Sequence, residues 1–254
     1  MDAAPMPSPE LKPPEKYSLA ALLADVYAAP ADVFDYVKTA PVRAANWLVP
    51  LILVGIMTIV YMMVAYSQPG VLRAIREAQD KAFQQNVTAG KMTQAQADAA
   101  EKMTARFMTP AVLGAFGALT GLGSTLMGLF LIALVLWLAV RWVHHSAVEY
   151  MKVVEVCALA GMIDLLQKIL RTILVVWKGN LLVTASPTLF LENPSVTNRR
   201  DDFLSLLDPI EVWWVAILSL GLSKVASIHY AKAALWIFGL WYGFRVALIL
   251  LTAK

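Results

Sequence analysis

The apolar positions of this chain fall into long, nearly unbroken runs separated by polar segments. A helix needs about 20 mostly apolar residues to cross a hydrocarbon core of about 30 Å. Five segments meet or approach that length, at residues 47–66, 110–142, 153–177, 211–227 and 231–251. Residues 47–66 carry no charge and are bounded by aromatics, which favour the headgroup level. Residues 110–142 are longer than a straight crossing needs, so that helix must tilt, kink or project from the bilayer. The last two segments are separated by only a few residues, which predicts a tight antiparallel pair.

The intervening segments have their own periodicity. Ahead of the first run, Leu19, Leu22, Leu23, Val26, Tyr27, Val33, Phe34 and Val37 recur at helical spacing. Pro30 cannot continue a helical hydrogen-bond ladder, so two short helices are expected. Their polar face carries Asp25, Asp32 and Asp35 against Lys38, whereas helices that bind anionic lipid display Lys and Arg. Docking onto the protein's own bundle, or a shallow interfacial position, is therefore expected. Residues 70–109 form a polar insert. Leu72, Ile75, Gln79, Ala82 and Phe83 give its first half helical periodicity, and Thr93 with Gln96 fits a capping box opening a second helix. A helical hairpin outside the lipid follows. Residues 181–209 read as a polar loop, and the proline-rich residues 1–16 as a disordered tail. That tail lacks the basic start and apolar stretch of a cleaved leader, so the first span is expected to target the chain.

Composition agrees. The chain is 59% hydrophobic and 15% charged over 254 residues, against about 45–50% and about 25% in soluble domains. The expected fold is an all-α, polytopic transmembrane bundle of about five spans, occupying residues 17–251. A net charge of +3 without a long basic run argues against nucleic acid as a partner. The single cysteine, Cys157, excludes an internal disulfide and a thiolate metal cluster; in its apolar segment it reads as an inert buried thiol.

The candidate chemistry lies in the third run, "AGMIDLLQKILRTILVVW". Asp164, Lys168 and Arg171 are spaced i, i+4 and i+7, one stripe on one helical face. A charge at a helix centre costs about 2.5–3.5 kcal/mol on insertion scales, so the stripe must face protein or water. Two readings stand: a path for an ion or solute, or an internal Asp164–Lys168 pair that fixes packing while Arg171 reaches toward an interface. Arg245 is a further intramembrane cation, able to pair with Asp164 from another helix, while Lys224 near a span end is expected to snorkel. Three cations against one central acid leave room for a bound anionic lipid or water. Gly117 with Gly121, and Gly239 with Gly243, form small-residue motifs suited to close helix packing, and a homo-oligomer is left open. His144, His145 and Glu149 do not make a converging ligand set, so no metal is expected. Asn86 begins a glycosylation sequon without other signs of a secretory host. With no nucleotide loop, nucleophile elbow or paired-carboxylate site, no catalytic residue and no cofactor are expected.

Several stretches resemble the bacterial branch of the Yip-domain family. "VYAAPADVFDYVK" followed by "WLVPLILV" is similar to that family's approach to its first span, and "EKMTARFMTP" to the end of its helical insert. "AVEYMKVVEVCALAGM" and "LLDPIEVWWVAILSLGLSKVASIHYAKAALWIFGLW" resemble the lead into the third span and the last helical pair. Eukaryotic relatives carry an Asp-Leu-Tyr-Gly-Pro stretch near the first span; here the corresponding "DVYAAP" is one residue longer and has no glycine. The resemblance implies five spans, a cytoplasmic N-terminus in a bacterial inner membrane, and a non-enzymatic scaffold or adaptor that organises membrane or recruits protein partners. It supplies no catalytic residue. A channel or transporter subunit using Asp164, Lys168, Arg171 and Arg245 is the alternative. Lysine and arginine are not concentrated on the side this orientation places inside, so the N-inside expectation rests on the resemblance alone.

Overall fold

The computed structural model describes residues 17–191, 194 and 198–252; the expectation for residues 1–16 lies outside them. Among the described residues the protein is all helical. Its α-helices are α1 (Leu19–Ala28), α2 (Pro30–Thr39), α3 (Ala44–Ser67), α4 (Pro69–Thr88), α5 (Gln94–Ala105), α6 (Pro110–Val143), α7 (Tyr150–Ala160), α8 (Met162–Lys178), α9 (Arg199–Ser205), α10 (Pro209–Ala226) and α11 (Tyr230–Thr252). Four of these, α3, α6, α10 and α11, are long and apolar enough to cross a membrane. The protein is an integral membrane protein.

The third apolar run is not one unbroken helix. It divides at Gly161 into helices of 11 and 17 residues. The backbone at Gly161 stays right-handed, and its N–H still donates to the Cys157 carbonyl at 2.9 Å. The path therefore continues while the regular ladder lapses. Tyr27 of α1 donates its hydroxyl to the Met162 carbonyl at this junction. Helices α7 and α8 together run beside α3: Glu155 meets Arg43 near the start of α3, and Val175 packs with Ala65 near its end.

Helix α6 runs antiparallel to α3. A Cβ on Gly117 would meet the Tyr66 ring at 2.5 Å, and one on Gly121 would meet the Thr58 methyl at 2.7 Å. These two glycines serve close packing inside one chain, as their spacing predicts. Gly239 and Gly243 do not pack within the chain: nothing lies within 4 Å of a Cβ built on either. Helix α11 leans on α10 with its other side, and the glycine stripe faces away from the bundle.

The N-terminal pair α1–α2 docks onto the bundle, the first of the two expected positions. Pro30 opens α2 as its first residue, and Ala29 separates the helices. Leu22, Val26, Val33, Phe34 and Val37 are buried in the main core. The fit on α10 is tight because Gly221 lacks a side chain; a Cβ there would stand 2.6 Å from Val156 Cγ1 and 2.9 Å from the Phe34 ring. Lys224 does not snorkel freely: its ammonium meets Asp35 Oδ2 at 2.6 Å, tying α10 to α2.

The insert is a helical hairpin, α4–α5. Thr93 and Gln96 form the reciprocal capping box at the start of α5. The base is anchored by Val71, buried against Ala65 and Val175. Gly70 sits against the backbone of Gly179, whose left-handed φ of 64° ends α8. Beyond this base the charged side chains of α4 and α5 are exposed.

An intramembrane polar cleft

The α8 stripe faces inward, as its energetic cost requires. On the opposite side of α8, Leu166, Ile169, Ile173 and Val176 are exposed, a surface suited to lipid. Asp164, Lys168 and Arg171 instead line a cleft of about 360 Å³. Its walls come from α3 (Pro50, Leu51, Val54), α6 (Ser124, Gly128, Ile132), α10 (Glu211, Trp214) and α11 (Trp241, Arg245). All four charges singled out along the sequence therefore converge on one cavity. Glu211, read there only as the start of a span, is the fifth.

Local structure explains the cavity. Pro50 lies inside α3 and removes one rung of its ladder. Gly161 thins the opposite wall at the α7–α8 junction. Ser124 and Thr125 turn their hydroxyls back to the Gly121 carbonyl at 2.9 and 2.8 Å, which leaves the lining hollow.

The charges are paired unevenly. Lys168 Nζ lies 3.3 Å from Asp164 Oδ2, the expected i, i+4 pair, with the side chains 21% and 35% exposed. Arg245 does not reach Asp164. It binds Glu211 Oε1 at 2.8 Å, and the same oxygen accepts from Trp241 Nε1 at 2.6 Å. Helices α10 and α11 are antiparallel neighbours, also in contact through Trp214 and Trp241, which sets Glu211 beside Arg245. Arg245 Nη2 also approaches Ser205 Oγ at 3.5 Å. Gln167 bridges from α8 to Asp208, the N-cap of α10, at 3.0 Å. On α9, Asp202 has its pKa raised, chiefly by burial and then by Asp201, while Arg245 opposes the shift.

Arg171 differs. It lines the cleft instead of reaching an interface beside Trp177, and makes no ion pair or hydrogen bond among the described residues. Its Nε is buried and unpaired. Three cations and two carboxylates line the cavity, and each carboxylate already has a partner.

A second polar cluster lies at the start of α3. Glu155 is fully buried and its carboxylate accepts from the Arg43 N–H at 2.7 Å, Asn46 Nδ2 at 3.0 Å and Lys152 Nζ at 2.9 Å. Lys152 also donates to the Ala40 carbonyl at 2.8 Å. The cluster joins the end of α2, the start of α3 and α7, and supplies the side-chain cap that α3 lacks locally. Sequence reading passed over it. The available signal was the Lys152–Glu155 spacing, i, i+3, just before an apolar run.

Cys157 is a free, buried thiol on the cleft wall. His144, His145 and Glu149 lie at the α6–α7 connection, and no group of three metal-ligating side chains occurs among the described residues. Asn86 is exposed near the end of α4. No family model, curated protein or solved structure matches the chain.

Proposed function

We propose that this integral membrane protein is a non-enzymatic scaffold or adaptor, carrying a projecting helical hairpin as its partner-binding element. The observation behind this reading is the contrast within the insert. α4–α5 is fastened at its base by Val71 and Gly70, yet leaves Arg73, Arg76, Glu77, Asp80, Lys81, Glu101 and Lys102 exposed. An anchored hairpin whose second helix is capped by Thr93 and Gln96, with charges of both signs, is suited to presenting a surface to another protein. The resemblance to the bacterial Yip-domain branch points the same way, and with it comes the assignment of a bacterial cytoplasmic membrane with the N-terminus inside. Photo-crosslinkers placed at Arg76 and Asp98 in native membranes are expected to capture a discrete protein partner that a crosslinker at the bundle residue Leu131 does not. Capture of the same background proteins from all three positions would defeat the reading.

A channel or transporter subunit is the second reading, favoured by the convergence of Asp164, Lys168, Arg171 and Arg245 on one cleft. It requires an ion or solute flux in proteoliposomes that Arg171→Gln abolishes while the fold persists.

A further inference from the structure

We infer that the cleft is a binding site for an anionic phospholipid, with Arg171 as the principal contact for its phosphate. This does not depend on the adaptor reading. Three observations carry it. The first is charge: among the residues that line the cleft, Lys168, Arg171 and Arg245 stand against Asp164 and Glu211, and both carboxylates are engaged by Lys168 and Arg245. The lining is thus net positive by one charge. The second is the unmet hydrogen-bonding capacity of Arg171, whose buried Nε has no acceptor. An arginine fork matches phosphate geometry, and a buried donor left unsatisfied is destabilising. In an apolar surrounding an anionic ligand relieves both the charge and the donor.

The third observation is the shape beside the charges. A second groove, of about 320 Å³, lies between α3 and α6, lined by Leu51, Ile52, Ile56, Ile59, Leu122 and Leu126. Leu51 and Thr125 belong to the linings of both cavities. Ile52, Ile56 and Leu126 are exposed, on helices apolar enough to cross a membrane. A polar, cationic site and an apolar groove sharing one wall fit a molecule with an anionic head and an acyl chain. A free anion would use only the first. The cleft volume, about 360 Å³, lies within the usual span for small-ligand sites of about 300–1,000 Å³.

The test uses the full chain, delipidated in a neutral detergent and titrated with phosphatidylglycerol, phosphatidylcholine or inorganic phosphate. Binding is read by native mass spectrometry and thermal shift. Phosphatidylglycerol is expected to bind and stabilise, with phosphatidylcholine clearly weaker and inorganic phosphate without effect. Arg171→Met should weaken phosphatidylglycerol about tenfold, the loss of one charge-assisted contact, while Arg171→Lys retains part of it. Lys38→Ala, exposed on α2, should leave binding unchanged. Equal binding of the two lipids overturns the inference, and inorganic phosphate matching the anionic lipid replaces it with a small-anion site. If Arg171→Met does not fold, photoactivatable phosphatidylglycerol on the unaltered protein decides. Label on peptides of α3, α6 and α8 around the cleft supports the site, and label distributed elsewhere removes it.

Discussion

Two polar clusters sit among the apolar helices of this protein, and they are built in opposite ways. Around Glu155 every strong donor has an acceptor, and the carboxylate is fully buried. Around Arg171 the pairs are partly exposed, the cavity is wide, and one buried donor has no partner. Burial of a charge is tolerated when its hydrogen bonds are complete, as at Glu155, where the cluster acts as a tertiary helix cap and a knot between α2, α3 and α7. The cleft keeps charge without that closure. Such an arrangement stabilises the fold less, and leaves capacity for something that is not part of the chain.

The contrast breaks most directly at Glu155. Glu155→Ala removes the acceptor of the Arg43 N–H and of Asn46 Nδ2, and leaves Lys152 with the Ala40 carbonyl alone. Loss of one partner from a buried pair costs about 3–5 kcal/mol in soluble proteins. A large fall in Tm in nanodiscs is expected, with Glu155→Gln milder because its carbonyl still accepts. An unchanged Tm would place this cluster on the same footing as the cleft.

A smaller effect is expected where the closed half meets the N-terminal pair. Gly221→Val pushes against Val156 and the Phe34 ring, and overpacking of this kind costs about 1–3 kcal/mol. Limited proteolysis should then cut α1–α2 sooner. The matching change on α11, Gly239→Val, meets nothing within 4 Å and should stay within about 0.5 kcal/mol. Equal losses at the two glycines would show that α11 is packed on both faces in the membrane.

Smaller again is the coupling across the cleft pair. Asp164→Asn, Lys168→Met and the double variant define a cycle on thermal stability. With side chains 35% and 21% exposed, the coupling should be about 0.2–1 kcal/mol, well below that expected of a sealed pair. A coupling above this range would mean the cleft closes in lipid.

The smallest effect lies on the insert. Arg73→Ser and Lys81→Ser should change stability by no more than about 0.5 kcal/mol, and spin labels along exposed positions of α4 should report water. Lipid-depth accessibility at those positions would return the hairpin to the bilayer.

Much of the fold was legible because its signals are local. Proline at position 30, the Thr93–Gln96 capping box and the inward stripe of α8 each depend on residues within one or two helical turns. The small residues were only half legible. Gly117 and Gly239 carry the same pattern, and only the position of a neighbouring helix separates them. The division of the third run was not legible for a related reason: hydropathy is blind to the lapse in the ladder at Gly161, which is a property of backbone geometry.

The sequence by itself determined that this is a helical membrane protein, where its polar insert lies, and that Asp164, Lys168 and Arg171 must face away from lipid. Those outcomes follow from transfer free energies and helical periodicity, which act residue by residue along the chain. Only the tertiary structure decided that Arg245 pairs with Glu211, that Glu155 caps α3, and that Arg171 is left facing an open cleft without an acceptor. The physical reason is that a hydrogen bond is satisfied within about 3 Å, and distances of that order between helices far apart in sequence are set by how the bundle packs.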